Sequence, residues 1–334
     1  MKAILFLAGG AFVSLVIGAA HAQEGQNQNR DASPAAQFTP NPDCGCCCTA
    51  APEWVFAGGA ELEFLNVYSR FNVALTRQDA ARVASSNSGT GDTVPFDFGL
   101  EASPLFWVGG VNSCGLGGRV RYWSFDHSTS VQETNTADAF FTPSIGDTTS
   151  THGVVGDTIS ATTRLNTFMV DGEVTQCLDF VAWNVTLSGG VRGGVIKQDS
   201  QWAFTQSGVP GSITSNDNFT LVGPTIAVES QRRLGETHLS LIANARFSNV
   251  FGPSSFIEVQ NFTGTNTHDT VSGDSAIGMG EMQLGISWSR DLNRGAQLQI
   301  DGLWENQLWW NEFGVLPVGN LGLMGFGLAV ELRR

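Results

Sequence analysis

The chain has 334 residues, a formal charge of −14 at pH 7 and an isoelectric point of about 4.6, which excludes a role built on electrostatic attraction to nucleic acid. It is 42% apolar by residue, yet its mean hydropathy is −0.01. Beyond its first residues it holds no run of the roughly 18 uninterrupted apolar residues that make a membrane helix. With 40 glycines, many aromatics and two lysines only (Lys2 and Lys197), in short alternating runs, it reads as an all-β chain.

Lys2, an apolar core over 3–17 and the small-residue ending Ala20-His21-Ala22 read as a secretory signal over 1–22, with the mature chain expected from Gln23. No cysteine stands at the cleavage point, so no lipid anchor is expected there. Export implies an oxidising compartment. Residues 23–52 are rich in Gln, Asn, Pro and Ala and read as a flexible linker. Within it lies Cys44-Gly45-Cys46-Cys47-Cys48. Thiolates suit soft metals, but structural zinc sites usually draw on two separated ligand pairs. No second pair is present, so local disulfides are the expectation and no metal site is assigned.

From residue 53 the chain alternates. In 54–68, Trp54, Phe56, Ala60, Leu62 and Phe64 share one face and Glu61 and Glu63 the other. A polar stretch to about 94 precedes a less regular strand over 98–111, weakened by Pro104. A tight turn at 112–115 leads into 116–127, with Arg119 and Arg121 on one face and Val120 and Tyr122 on the other. Trp123 and Phe125 fall on the arginine face and break the pattern. Residues 128–160 read as a long polar loop. Strands follow at 161–177, with Asp171 and Glu173 opposite Phe168, Val170 and Val174, and at 181–197, with Arg192 opposite Val191 and Val195. Another polar loop, 198–217, holds a short apolar run around 202–205. A hairpin of 218–230 and 237–250 carries Arg246, and 251–280 reads as a third long loop. Strands at 281–290 and 296–310 are joined by a short turn, and 320–334 is the last strand.

The stretch 296–310 states the pattern best. Leu298, Ile300 and Trp304 lie on one parity, and Gln297, Gln299, Asp301, Glu305 and Gln307 on the other. A strand of about ten residues, apolar outside and polar inside with aromatics at its end, is what a bilayer-crossing barrel requires. Loop lengths alternate long and short, as in bacterial outer-membrane barrels, whose short turns are periplasmic. The expected fold is therefore a single antiparallel transmembrane β-barrel over 53–334. It has about 10–12 strands, long external loops, short periplasmic turns and both termini periplasmic. Cys114 and Cys177 then fall at the same end of neighbouring strands, where they are either a disulfide or two buried thiols.

The run Gly117-Gly118-Arg119-Val120-Arg121-Tyr122-Trp123-Ser124-Phe125-Asp126 resembles a segment of the pore-forming outer-membrane proteins similar to the Legionella major outer membrane protein, a family with planctomycete relatives. Val170-Asp171-Gly172-Glu173-Val174, Gly190-Val191-Arg192, Gly223-Pro224-Thr225, Trp304-Glu305-Asn306-Gln307 and Asn320-Leu321-Gly322-Leu323-Met324-Gly325 fit the same family in the same order. The resemblance implies an outer-membrane porin-type barrel and brings no catalytic residues. The ending Glu331-Leu332-Arg333-Arg334 departs from the terminal aromatic residue many such barrels use for assembly.

No G-x-S-x-G elbow, H-E-x-x-H or P-loop is present, and the five histidines are scattered, so no enzymatic step and no cofactor are expected. The informative groups are ionisable residues on the inner parity: Glu61, Glu63, Arg119, Arg121, Asp171, Glu173, Arg192, Arg246, Asp301 and Glu305. They read either as the lining of a cation-preferring pore for small hydrophilic solutes or as a salt-bridged plug in a narrow barrel whose loops at 69–97, 128–160 and 251–280 bind. Trp54, Trp183, Trp288, Trp304, Trp309 and Trp310 suit interfacial girdles. The expected partners are outer-membrane lipid, the outer-membrane assembly machinery and small solutes. No interface for a homo-oligomer can be read from the chain.

Overall fold

Period-two alternation of apolar and polar residues leaves a strand with one face for lipid and one for a lumen, and closure satisfies the edge hydrogen bonds that lipid cannot. The computed structural model describes residues 54–69, 73–79, 92–143, 154–180, 182–292, 295–313 and 320–334. All lie within one compact unit, Cys48–Arg334. The signal, the linker and Cys44–Cys48 lie outside the described residues. In chain order the strands are β1 (Trp54–Ser69), β2 (Val73–Asp79), β3 (Asp92–Pro95), β4 (Glu101–Asn112), β5 (Leu116–Thr134), β6 (Ala139–Pro143), β7 (Thr158–Asp179), β8 (Trp183–Gln206), β9 (Val209–Arg233), β10 (Leu239–Phe262), β11 (Thr265–Asp291), β12 (Gln297–Phe313) and β13 (Leu321–Arg333).

Ten of them close a barrel in the order β1-β13-β12-β11-β10-β9-β8-β7-β5-β4, each antiparallel to its neighbours. Closure joins the first strand to the last, with Glu61 opposite Ala329 on β13 and Leu105 on β4. Phe56 and Arg334 exchange two backbone hydrogen bonds at that seam, of 2.7 and 2.8 Å, so both ends of the described barrel lie at one rim. That terminal rim also carries the short turns between β4 and β5, β7 and β8, β9 and β10, and β11 and β12. Among the described residues no helix is long and apolar enough to cross a membrane.

At the opposite end the fold departs from the expected loops. Parts of 128–160, and all but two residues each of 198–217 and 251–280, are strand: β7 to β11 run 22 to 27 residues, far more than the roughly 9–11 that cross a bilayer. Two of the presumed loops shrink to two-residue turns. Ser207 and Gly208 (φ 54° and 77°) join β8 to β9, and Thr263 and Gly264 (φ 53° and 79°) join β10 to β11. Positive φ at both positions marks the turn whose twist matches a tight hairpin. Outside lipid the outward face need not be apolar, so residues such as Lys197, Asp199 and Asn218 hid these extensions from a reading based on alternation.

The remaining connections build a second, three-stranded sheet in the order β3-β2-β6. Its Ala74 and Leu75 are fully buried, and the Trp202 Nε1–H of β8 donates to the Ala74 carbonyl at 2.8 Å. Phe96 and Phe98, just after β3, are buried in the same apolar cluster as Ile159, Trp202, Phe204 and Ile213 of the barrel's inner face. Thr129 Oγ1 donates to the Asp97 carbonyl at 2.7 Å, and Asn66 donates to that of Phe98. The small sheet is thus packed onto the lumen side of the extended strands as a cap. Asp157 ties another connection down: its carboxylate accepts from the backbone N–H of Val154 (2.8 Å), Ser207 (2.7 Å) and Gly208 (3.3 Å). Those donors, Val154 first, hold its carboxyl below the usual range.

Candidate functional site

Outward side chains of the ten strands form the apolar belt. Phe56, Val108, Val174, Ile226, Ile286 and Leu328 are all exposed. Trp54 and Trp304 are outward and exposed, but Trp309 is not part of a girdle; it is buried in the lumen. Even spacing along β12 puts Trp309 on the parity of Glu305 and Gln307, and the pair Trp309-Trp310 therefore splits, one inside and one outside.

The lumen is layered. Ile242, Leu303 and Ala329 pack with Trp107 in a small apolar group, Ala329 standing opposite both Glu61 and Asp301. Around it lies a layer of charge. Arg192, 3% exposed, binds Asp171 in a two-pronged contact (Nε–Oδ1 2.6 Å, Nη2–Oδ2 2.9 Å) and also donates to Glu281. Arg119 donates to Glu173 (3.0 and 2.8 Å) and to Glu229 (2.9 and 2.5 Å). Arg246 is bonded to Glu173 and lies 3.5 Å from Asp171 and from Glu281. Arg121 reaches Asp171 at 3.4 Å. The register explains the grouping: Arg121 stands opposite Asp171, which stands opposite Arg192, and Arg246 stands opposite Glu281. Four guanidiniums are thus shared among Asp171, Glu173, Glu229 and Glu281.

On the other wall, among the described residues, no guanidinium is bonded. Glu61, Glu63 and Glu305 are buried, with carboxylate oxygens within 4.8 Å of one another. Their donors are neutral: Trp123 Nε1 to Glu63 (2.7 Å), Gln283 Nε2 to Glu61 (3.3 Å) and Glu305 (3.3 Å), and Gln307 Nε2 to Glu305 (2.6 Å). Asp301, also buried, accepts from Gln299 at 3.0 Å. Eight carboxylates therefore share the layer with four guanidiniums, apart from the mutually bonded Glu331 and Arg333 at the rim.

Beyond the charge, towards the cap, the lumen turns apolar. Leu65, Met279, Val250 and Leu323 are fully buried, and Phe125 is 1% exposed. Trp123 stands edge-on to Trp309 with ring centroids 5.8 Å apart. This explains the broken alternation of the third predicted strand: Trp123 and Phe125 point inward, as Arg119 and Arg121 do, and fill the barrel above them.

All ten ionisable residues selected from the sequence lie on inward positions of the barrel strands. Glu229, Glu281, Gln283 and Gln307 belong with them. Glu229 follows Thr225 and Ala227 at spacing two, where small residues blur the inner face; Glu281 was hidden by a strand start placed too late. Cys114 and Cys177 do not pair. Cys114 is disulfide-bonded, whereas Cys177, the other cysteine among the described residues, is a free thiol 3.6 Å from Thr186 Oγ1. Nearness of two strand ends does not orient Cβ vectors, and Cys177 turns toward β8.

A closed antiparallel barrel with an apolar belt outside and charge inside is a transmembrane β-barrel of the bacterial outer membrane. The chain belongs to the family described as Legionella pneumophila major outer membrane protein precursor, whose model matches residues 117–326. No curated protein matches the chain. Similar solved structures include the outer membrane protease OmpT from Escherichia coli (10% identity, 84% of this chain, 96% of that one, TM-score 0.45). The toluene transporter TodX of Pseudomonas putida (6% identity, 85% and 90%, TM-score 0.30) and a FadL homologue of Pseudomonas aeruginosa (8%, 84% and 89%, TM-score 0.22) are others.

Proposed function

We propose that the protein is an outer-membrane channel, closed in the conformation described, that admits small hydrophilic solutes, cations before anions, when its cap and apolar layer give way. The observation that carries this reading is the charge layer. An inert anchor is filled at no loss of stability by apolar side chains, since replacing buried ion pairs with well-packed hydrophobic ones is often neutral or stabilising. Keeping eight carboxylates and four guanidiniums inside the belt is costly, and ionisable groups at membrane depth mark ion or solute paths. The acidic excess favours cations electrostatically. In this reading the rim with the short turns and both termini is periplasmic, and the extended strands with their cap face outward.

A second reading has its own observation. The apolar layer and the sheet β3-β2-β6 fill the half of the lumen away from the termini, as expected of a barrel that only anchors an external platform. Vesicles loaded with potassium separate the two. The channel reading expects slow efflux through the native protein and fast efflux after Leu75→Asp, which puts a charge into the buried face of the cap. Efflux equal to that of empty vesicles for both proteins, each verified as folded by heat-modifiable migration, would establish the anchor instead.

A further inference from the structure

We propose that Glu61, Glu63 and Glu305 form a binding site for a divalent cation of calcium size, set in the wall of the barrel where β1, β13 and β12 meet. Three observations build it. First, one oxygen from each carboxylate lies within 4.8 Å of the others. Oxygens around one ion are separated by at most twice the metal–oxygen distance, which is about 4.6–5.2 Å for calcium and about 4.0–4.2 Å for magnesium. Three oxygens within 4.8 Å of one another meet that condition for calcium. A set made only of carboxylate oxygens is also the hard-ligand chemistry this ion takes.

Second, Glu63 is wholly buried and its Oε1 has no hydrogen-bond donor, while its Oε2 is held by Trp123. A buried carboxylate oxygen without a donor loses its hydration and gains nothing in return. The oxygen calls for a positively charged partner, and none of the ion pairs of Arg119, Arg121, Arg192 or Arg246 extends to this wall. The neutral donors do not remove the three charges. Gln283 is fixed with its amide N–H toward Glu61 and Glu305, because its Oε1 accepts from Asn244 Nδ2 at 3.1 Å.

Third, the intervening strand makes room. On β13 the residues paired with Glu61, Glu63 and Glu305 are Ala329, Gly327 and Gly325. A Cβ on Gly327 would come within 2.5 Å of Glu61 Oε1, so glycine is what lets that carboxylate lean across toward its partners. The arrangement needs no conduction. A barrel that never opens would hold the ion equally well, so failure of the channel reading leaves this proposal standing, and the reverse.

The test uses the full protein refolded in detergent in the presence of calcium, freed of loose ions, with bound calcium counted by equilibrium dialysis of the radioactive ion. A terbium titration accompanies it. Trp123, hydrogen-bonded to Glu63, is placed to sensitise terbium emission. One calcium per chain, and tryptophan-sensitised terbium emission that calcium displaces, are expected. Both are lost in Glu63→Gln/Glu305→Gln and kept in Asp269→Asn, a change at an exposed position of the β10–β11 hairpin. Trp123→Phe keeps the calcium and weakens the emission, with Trp309 5.8 Å from Trp123 left to sensitise the rest, a readout that stands even where the double variant does not fold. A wild-type protein that retains no calcium, its carboxyls being neutralised by protons, overturns the proposal, as does calcium retained by the folded double variant.

Discussion

Arg192→Met tests the charge layer. The arginine is 3% exposed and makes three charged contacts, two with Asp171 and one with Glu281. Methionine fills a similar volume, so little of the effect comes from a cavity. What remains is three guanidiniums for the four carboxylates Asp171, Glu173, Glu229 and Glu281. Breaking a buried pair by removing one partner costs about 3–5 kcal/mol. Asp171 keeps Arg121 at 3.4 Å and Arg246 at 3.5 Å, and Glu281 keeps Arg246 at 3.5 Å. The loss is therefore set at the low end, about 3 kcal/mol. Adding Asp171→Asn removes the uncompensated charge, so the double variant loses less than the sum of the singles by about 1–3 kcal/mol, as coupled residues do. Urea unfolding of the barrel in lipid vesicles, followed by tryptophan fluorescence, measures both. A loss within about 0.5 kcal/mol of wild type for Arg192→Met, the range of uninvolved surface positions, or strict additivity in the double variant, would refute the reasoning.

Other predictions concern the ends of the barrel. Asp217 lies in the stretch of β9 beyond the apolar belt, and its Oδ1 has no hydrogen-bond donor. Burial, with Asp199 adding to it, pushes its carboxyl up to about 7. The charged form is disfavoured in the folded state, so stability is full below the unfolded value of roughly 4 and falls as pH rises through 7. Asp217→Asn should raise the thermal midpoint at about pH 8 and leave it unchanged at about pH 4; an equal effect at both would count against it. Gly264→Ala places a Cβ at φ 79° in the β10–β11 turn and should lower stability by about 1–2 kcal/mol, read in the same urea assay. Alkylation of the denatured, unreduced protein should label Cys177 and spare Cys114 on peptide mapping, and the reverse pattern would contradict the structure.

The sequence carried the barrel where lipid imposes it. Glu61 and Glu63 alternate with Leu62 and Phe64 because one face of β1 must be apolar and the other must not, and the same parity leads along β12 from Asp301 to Glu305. Where lipid ends, that constraint ends too, so the extensions of β8 to β11 read as polar loop although each is paired residue by residue. Apolar residues inside a barrel give no alternation either. Trp123, Phe125 and Trp309 look like errors in a polar lumen until their common layer is seen. The cap was hidden because β2, β3 and β6 are 4 to 7 residues long and come from two separate connections. The carboxylate group is half visible: alternation turns Glu61, Glu63 and Glu305 each inward, but only the closure of β1 onto β13 brings them together.

The most direct test of a closed, cation-preferring channel is single-channel recording in a planar bilayer under a salt gradient, with the native protein and Leu75→Asp side by side. The account predicts rare, brief steps for the native protein and frequent steps for the variant. Step size should scale with salt, and the reversal potential should take the sign of cation selectivity. Folded protein that gives no steps in either form would contradict it and leave an anchored external platform. Steps with an anion-selective reversal potential would contradict the role given to the acidic lumen.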